Sequence, residues 1–354
     1  MTSNRRNSAS RGAGFTLVEM LVVIVIIGML AGLTTSVLVG ARRSVRNSVV
    51  SSEMAQLSMA LDNYKNKYGE YPPDLSDEAA VMRHVKKRWP RYNVASYADF
   101  MEHVQNGCKL SSGIYTGTVS NLSELNGKHV WQLERYVSSL IFWLGGLPNE
   151  DGIPSGFYAN PKAPLGIDVN NNPIHKPLRA TREKPLFSFS RKNLTTFAFS
   201  GAPGPSGGST NDSVFHPSED VWNDAMGANY YIPAITQGGY PILYFRPSPG
   251  SGYDGKYVFF GETPVEGVSQ AVPYARNWDE KKRRWNWYEE RRFQLVHPGA
   301  DGLFGLSEAE GGREGAIPVA TQPTQNCTLA DDDNITNFLE TGTLQSEYKD
   351  VPGD

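Results

Sequence analysis

Cysteine is scarce in this chain, which has only Cys108 and Cys327 among its 354 residues. The two thiols lie far apart in the sequence and form no CxxC pair, so a zinc site of the Cys type is not predicted. In an oxidising compartment a bridge between them would stabilise the fold by about 2–4 kcal/mol. Two separate buried thiols are the alternative, and the sequence leaves both open.

The chain also lacks the common catalytic motifs. Its histidines are few and scattered, and no HExxH, GxSxG or GxxxxGK[ST] pattern occurs, which gives no support to a zinc protease, a nucleophile-elbow hydrolase or a phosphate-binding loop. The formal charge of −3 gives no general attraction to nucleic acid. With 39% hydrophobic and 20% charged residues the chain is that of a folded protein. We therefore expect no catalytic residue, no catalytic cofactor and no nucleic-acid partner.

Charge is almost absent between Phe15 and Gly40, where Glu19 is the only ionisable side chain. At ~1.5 Å per helical residue this segment can cross the ~30 Å hydrocarbon core of a bilayer, so residues 15–40 are predicted to be a transmembrane helix. Arginines in the short segment before it predict a cytoplasmic N-terminus. A carboxylate in hydrocarbon costs at least about 2.5 kcal/mol, and Glu19 therefore needs a partner such as an amino group.

Residues Gly14-Phe15-Thr16-Leu17-Val18-Glu19 resemble the type IV prepilin signature. The resemblance implies that a prepilin peptidase removes residues 1–14 by cutting after Gly14 and methylates Phe15 as the new N-terminus. It also implies that Glu19 acts in assembly, by neutralising the Phe15 amine of its own chain or of a neighbour. A plain signal anchor with a chance Gly-Phe is the alternative.

An amphipathic pattern continues the helix through residues 41–70. Apolar side chains recur at spacings of three and four, and the helix should stop at Gly69 before Pro72 and Pro73. The recurring residues are Met54, Leu57, Leu61, Tyr64 and Tyr68. This tyrosine-rich end followed by Tyr-Pro resembles the end of the spine helix in major pseudopilins of type II secretion. The resemblance implies an α+β, pilin-like fold, in which the long helix packs on a C-terminal antiparallel sheet.

The rest of the chain is predicted to contain an enlarged α/β insertion and a C-terminal sheet. The insertion covers residues 71–240 and the C-terminal part residues 241–354. Helices are expected at 78–87, 97–105 and 130–144. Short aromatic segments bounded by Gly and Pro predict antiparallel strands at 186–189, 195–199, 241–245, 257–260 and 293–296.

Two polar segments near the C-terminus are candidates for ligand binding. Asp301, in a glycine-rich turn, and the run Asp331, Asp332 and Asp333 supply the oxygen ligands that Ca²⁺ prefers, and they resemble the calcium loop of major pseudopilins. A solvated acidic turn is the alternative. The run from Trp278 to Tyr288 mixes basic and aromatic residues, and could stack on nucleic acid or sugar or form an exposed turn.

Together these features predict a structural pseudopilin of a type II secretion filament, anchored by one span in the bacterial inner membrane with its C-terminal domain in the periplasm. The implied partners are the prepilin peptidase, copies of this chain and other pseudopilins, an inner-membrane assembly platform and the lipid bilayer. The cofactor expected is a structural Ca²⁺. Two alternatives remain, namely a pilus or DNA-uptake subunit and an envelope binding protein or enzyme displayed on a prepilin-type anchor.

Overall fold

The chain forms two compact units, Met1–Val45 and Arg46–Asp354. Within them, the computed structural model describes residues 17–111, 131–132, 136, 138–149, 151–168, 170, 181–200, 214–216, 227–231, 241–253, 256, 258–260, 269–299, 302–305, 333–339 and 343–344. The described elements give an α+β architecture with an N-terminal helix and small sheets.

Helix α1 runs from Leu17 to Tyr68, which confirms the long helix predicted from the sequence. It stops where expected, because Gly69 adopts a left-handed φ of 81° and its N–H donates to the carbonyl of Lys65 at 2.7 Å. In the larger unit the helix buries one stripe against the domain core. The stripe comprises Val50, Met54, Leu57, Leu61 and Tyr64. This confirms the predicted apolar face except at Tyr68, which is half-buried.

Two of the three helices predicted after α1 are confirmed. They are α2 (Glu78–Arg88), capped by the Asp77 carboxylate on the N–H of Ala80, and α3 (Tyr97–Ser111). The helix predicted at 130–144 is wrong. Strand β1 (Trp131–Gln132) lies at its start, and a five-residue π-helix, Ile141–Gly145, lies at its end. All five residues of that π-helix are buried. A short apolar run without an exposed face shows neither a helical nor a strand periodicity, so its sequence does not determine its secondary structure.

The largest sheet has six strands in the order β1-β4-β2-β3-β6-β7. The strands after β1 are β2 (Leu194–Ser200), β3 (Val214–His216), β4 (Gly227–Tyr231), β6 (Val258–Phe260) and β7 (Ser269–Ala271). The pairs β1–β4 and β3–β6 are parallel and the others antiparallel. The sheet is mixed, where the sequence predicted antiparallel pairing only. Parallel neighbours need long crossovers, and each of these pairs is separated by a long stretch of chain.

A three-stranded antiparallel sheet packs on α1. Its order is β11-β10-β5, from β5 (Leu243–Phe245), β10 (Gln294–His297) and β11 (Ile335–Thr336). Tyr244, Leu295 and Ile335 share one core with the buried stripe of α1. A separate hairpin pairs β8 (Ala275–Asp279) with β9 (Arg284–Trp287).

Four of the predicted strands are confirmed, as β2, β5, β6 and β10. The strand predicted at 186–189 is wrong. The backbone N–H groups of Leu186 and Phe187 both donate to the carbonyl of Leu144, at the π-helix, and pair with no strand in the described part of the chain.

Candidate functional site

The N-terminal part of α1 exposes apolar side chains on every side. From Leu17 to Leu30 each large apolar residue is at least 43% exposed, with Leu17 at 81%. A helix that is apolar all round needs an apolar environment from outside its own fold. This stretch therefore offers surface to lipid or to other molecules.

Glu19 lies exposed in the first turn of this helix. The helix dipole favours a negative charge in the first turn, where the backbone N–H groups have no acceptor within the helix. The predicted cleavage residues Gly14 and Phe15 lie outside the described part of the chain.

Within the residues that the structure describes, no helix combines the length and apolarity that crossing a membrane requires.

The antiparallel pairing of β10 and β11 brings together the two segments predicted to form the calcium loop. Val296 pairs with Thr336 and His297 with Ile335, which places Gly299 directly against Asp333. A Cβ at Gly299 would collide with the backbone carbonyl of Asp333. Of the four predicted ligands only Asp333 is described, and it is 5% exposed. Asp301, Asp331 and Asp332 lie outside the described residues.

The chemistry around Asp333 suits an oxygen-binding cation. The neighbouring Oδ1 of Asn334 and Oγ1 of Thr336 are buried and accept no hydrogen bond from any described residue. The amide nitrogen of Asn334 is used, since it donates to the Tyr274 hydroxyl at 2.7 Å and to the Phe304 carbonyl at 2.9 Å. The described residues contain no group of three or more metal-ligating side chains. The buried oxygens of Asn334 and Thr336, beside the Asp333 carboxyl group, could supply only part of a calcium shell.

His297, beside this segment, is neutral. Its Nδ1 accepts from the N–H of Gly299 at 3.1 Å, so the proton lies on Nε2. Burial, and then the charge of Arg46, lower the pKa of His297 to about 3. A neutral imidazole here adds no positive charge that would oppose a cation.

A buried ion pair fixes the turn after α1, and the sequence analysis missed it. Lys256 Nζ lies 2.8 Å from Asp74 Oδ2, and both side chains are about 95% buried. Asp74 also accepts the N–H of Arg246 at 2.7 Å, and the Tyr244 hydroxyl donates to the Pro72 carbonyl at 2.7 Å. Nothing in the local sequence links residues 182 positions apart, so only the fold could have revealed this pair.

A second missed cluster joins α1 to α2. His84 Nε2 lies 2.6 Å from the Tyr64 hydroxyl, His84 Nδ1 lies 2.8 Å from Glu70, and Arg88 donates to Tyr64 at 2.8 Å. Burial lowers the pKa of His84 to about 4, although Glu70 acts in the opposite direction. The cavity beside Arg88 has about 10 Å³, the space of one water molecule. A carboxylate–imidazole–phenol chain with so little space beside it suits a packing role better than substrate binding.

The basic and aromatic run forms the β8–β9 hairpin and its tip. Trp278 and Trp285 face each other across the strands with ring centroids 5.1 Å apart. Asp279 accepts the N–H groups of Lys281 and Lys282 and so shapes the tip. The exposed turn predicted as the alternative for this segment is therefore observed.

Cys108 is buried, and burial raises its pKa. Cys327 lies outside the described residues, so their pairing stays a prediction.

Comparison with known proteins links the N-terminus to secretion. Residues 10–35 match the family model described as the prokaryotic N-terminal methylation motif. Among curated proteins, the chain is 44% identical over 62 residues to type II secretion system core protein G of Klebsiella pneumoniae, covering 18% of this chain and 44% of that protein. It is 42% identical over 65 residues to the protein of that name from Pectobacterium carotovorum subsp. carotovorum, covering 18% and 42%.

A third protein of that name, from Escherichia coli strain K12, is 44% identical over 59 residues, covering 17% of this chain and 41% of its own length. The chain thus spans less than half the length of each of these three relatives. No solved structure gives a significant match. The chain carries an N-terminal methylation motif, and each of these three relatives matches it over 59 to 65 residues.

Proposed function

We propose that this protein is a structural pseudopilin subunit of a type II secretion filament. The observation that carries the proposal is the match of residues 10–35 to the methylation motif, together with the helix that begins at Leu17 and whose first turns expose apolar side chains all round. The similarity to core protein G gives it further support. The chain would act as a structural subunit of the filament and would have no catalytic activity.

Processing follows from the position of the motif. A prepilin peptidase cuts after Gly14, and Phe15 becomes the methylated N-terminus. The apolar part of α1 anchors the subunit once in the bacterial inner membrane, and the domain from Arg46 onward lies in the periplasm. An assembly platform in that membrane then adds the subunit to copies of itself and to other pseudopilins.

Assembly depends on Glu19. In an apolar environment an unpaired carboxylate is unfavourable by at least about 2.5 kcal/mol, so a docked position that brings Glu19 to a neighbour's Phe15 amine is selected over other registers. Apolar side chains of α1 supply contact area, and this charge pair sets the axial position.

A structural Ca²⁺ belongs to the same proposal. Asp333, with Asp301, Asp331 and Asp332, would hold the ion between the turn after β10 and the segment before β11. The buried oxygens of Asn334 and Thr336 support this placement. The ion would stabilise the C-terminal sheet that packs on α1.

Intact mass spectrometry of the protein from its native membrane tests the proposal. The expected mature species begins at N-methylated Phe15, and Gly14→Leu should leave the full precursor. Glu19→Ala should permit cleavage but reduce incorporation into filaments. Lys184→Ala is the control, because Lys184 is an exposed residue of the larger unit, outside the apolar part of α1. A precursor that stays intact in the wild type would refute the assignment.

A further inference from the structure

Two buried hydrogen-bond donors beside the π-helix have no acceptor in the described part of the chain. They are Nε of Arg88 and Nε1 of Trp143. Arg88 is half-buried, and Trp143 is only 1% exposed. Folded proteins rarely leave such groups unpaired, and an exception often indicates a bound water molecule or ion.

Both side chains line the cavity of about 10 Å³ beside Arg88. The same cavity is lined by Leu144 and Gly145 of the π-helix, a rare element that frequently occurs at functional sites. Lys184, which also lines it, is exposed, so its charge is solvated. The volume suits one water molecule or a monoatomic ion and is too small for sulfate, phosphate or a larger ligand.

The charges around this cavity favour a negatively charged occupant. Within the described ranges no carboxylate forms an ion pair with Arg88. Its guanidinium packs instead on aromatic rings, with Cζ 4.4 Å from the ring centroid of Tyr68 and 5.7 Å from that of Trp143. Glu183, a carboxylate on the cavity wall, is paired with Lys67 at 3.5 Å. The positive charge of Arg88 therefore lacks a counter-ion among these side chains.

The hydrogen bonds of the cavity wall also favour an anion over a water molecule. The polar groups of arginine and tryptophan side chains only donate, so a water molecule between them would still need acceptors for its own two hydrogens. The carbonyls of Leu144, Gly145 and Gly156 already accept backbone N–H groups. A monoatomic anion needs donors only.

We propose that the cavity between Arg88 and Trp143 binds a small monovalent anion of the size of chloride. Nε of Arg88 and Nε1 of Trp143 donate to the ion. Arg88 also donates to the hydroxyls of Tyr64 and Tyr68, at 2.8 and 3.2 Å, so the bound anion links the end of α1 to α2 and to the π-helix. Because the site exists only in the folded state, the anion stabilises the larger unit by mass action.

Thermal unfolding of the full-length protein in detergent tests this site. Sodium chloride replaces sodium gluconate at constant ionic strength, since gluconate is too large for the cavity. The melting temperature should rise and then level off, by about 3 °C once chloride exceeds about ten times its Kd. The wild-type protein should also broaden the ³⁵Cl NMR line of the solution. A melting temperature that does not respond to chloride would overturn the proposal, because water alone would then complete the two donors.

Three variants separate the anion site from a general effect of salt on the fold. Trp143→Phe removes the N–H but keeps an aromatic ring, and it should weaken chloride binding about tenfold. Trp89→Phe is the matched control, since this buried tryptophan stacks on Trp143 but is not among the described residues that line the cavity.

Glu183→Gln should have the opposite effect to Trp143→Phe. It removes a negative charge from the cavity wall and should lower the Kd for chloride roughly threefold. Because Glu183 is half-buried and its partner Lys67 is exposed, this variant is expected to fold even where Trp143→Phe does not. Equal losses of chloride binding in Trp89→Phe and Trp143→Phe, or weaker binding in Glu183→Gln, would overturn the proposal.

Discussion

Removing the Lys256 ammonium should strongly destabilise the larger unit. Lys256→Met keeps most of the side-chain volume but leaves the Asp74 carboxylate about 95% buried without the charge 2.8 Å away. Breaking a buried pair from one side typically costs about 3–5 kcal/mol, because the remaining charge has lost its compensation. Asp74 keeps hydrogen bonds from the backbone N–H of Arg246 and from Ser76. Because these hydrogen bonds still stabilise the carboxylate, we expect the free energy of unfolding to fall by about 3 rather than about 5 kcal/mol.

Urea unfolding of the full-length protein in detergent, followed by tryptophan fluorescence, measures this loss. Combining Lys256→Met with Asp74→Asn removes both charges, and the double variant should recover about 2 kcal/mol relative to the sum of the single changes. Lys184→Met is the matched control, since Lys184 is exposed. A loss below about 1 kcal/mol for Lys256→Met, or strictly additive single variants, would refute the reasoning that the pair ties the turn after α1 to the distant chain.

Three further predictions concern pH, backbone geometry and calcium. Because the pKa of His84 is lowered to about 4 in the fold, the unfolded state binds more protons below about pH 6.5, and stability should fall between pH 6.5 and 4. His84→Gln should flatten that fall in a urea titration; an unchanged pH slope would contradict this. Gly299→Ala should cost about 2 kcal/mol in urea unfolding, more than Gly250→Ala, which has a left-handed φ but open space; equal losses would contradict it. Chelation should lower the melting temperature of the wild type but not of Asp333→Asn, and an unchanged wild-type value would count against calcium.

The helices show what sequence patterning can and cannot predict. The stripe from Met54 to Tyr64 repeats at three and four residues because one face is buried and the other solvated, so its period is visible. The run Ile141–Gly145 is buried on all sides, and its apolar residues carry no period. The Leu144 carbonyl in this run also accepts hydrogen bonds from the N–H groups of Leu186 and Phe187. The sequence had predicted a strand at these two residues.

The candidate sites also divide into those that the sequence could predict and those that only the tertiary structure shows. The motif that contains Gly14, Phe15 and Glu19 was recognisable because it is contiguous, and it lies within residues 10–35, which match the N-terminal methylation motif. The roles of these three residues stay predictions. The resemblance to the calcium loop of major pseudopilins predicted that the turn after β10 lies next to Asp333. The pairing of β10 with β11 gives the physical reason for this contact. Asp74 and Lys256, and Glu70 and His84, meet only through tertiary packing, which leaves no spacing to detect.

Helix α1 carries two kinds of surface along one element. From Leu17 to Leu30 its apolar side chains are exposed, whereas its stripe from Val50 to Tyr64 is buried by the domain that follows. The second surface is occupied by the chain's own core, so the assembly contacts that we propose would use the first surface or the outer face of the domain. Folding and assembly should therefore be separable. Glu19→Ala should leave the urea midpoint unchanged, and Lys256→Met should leave cleavage after Gly14 unchanged; coupled losses would mean that the domain folds only within the filament.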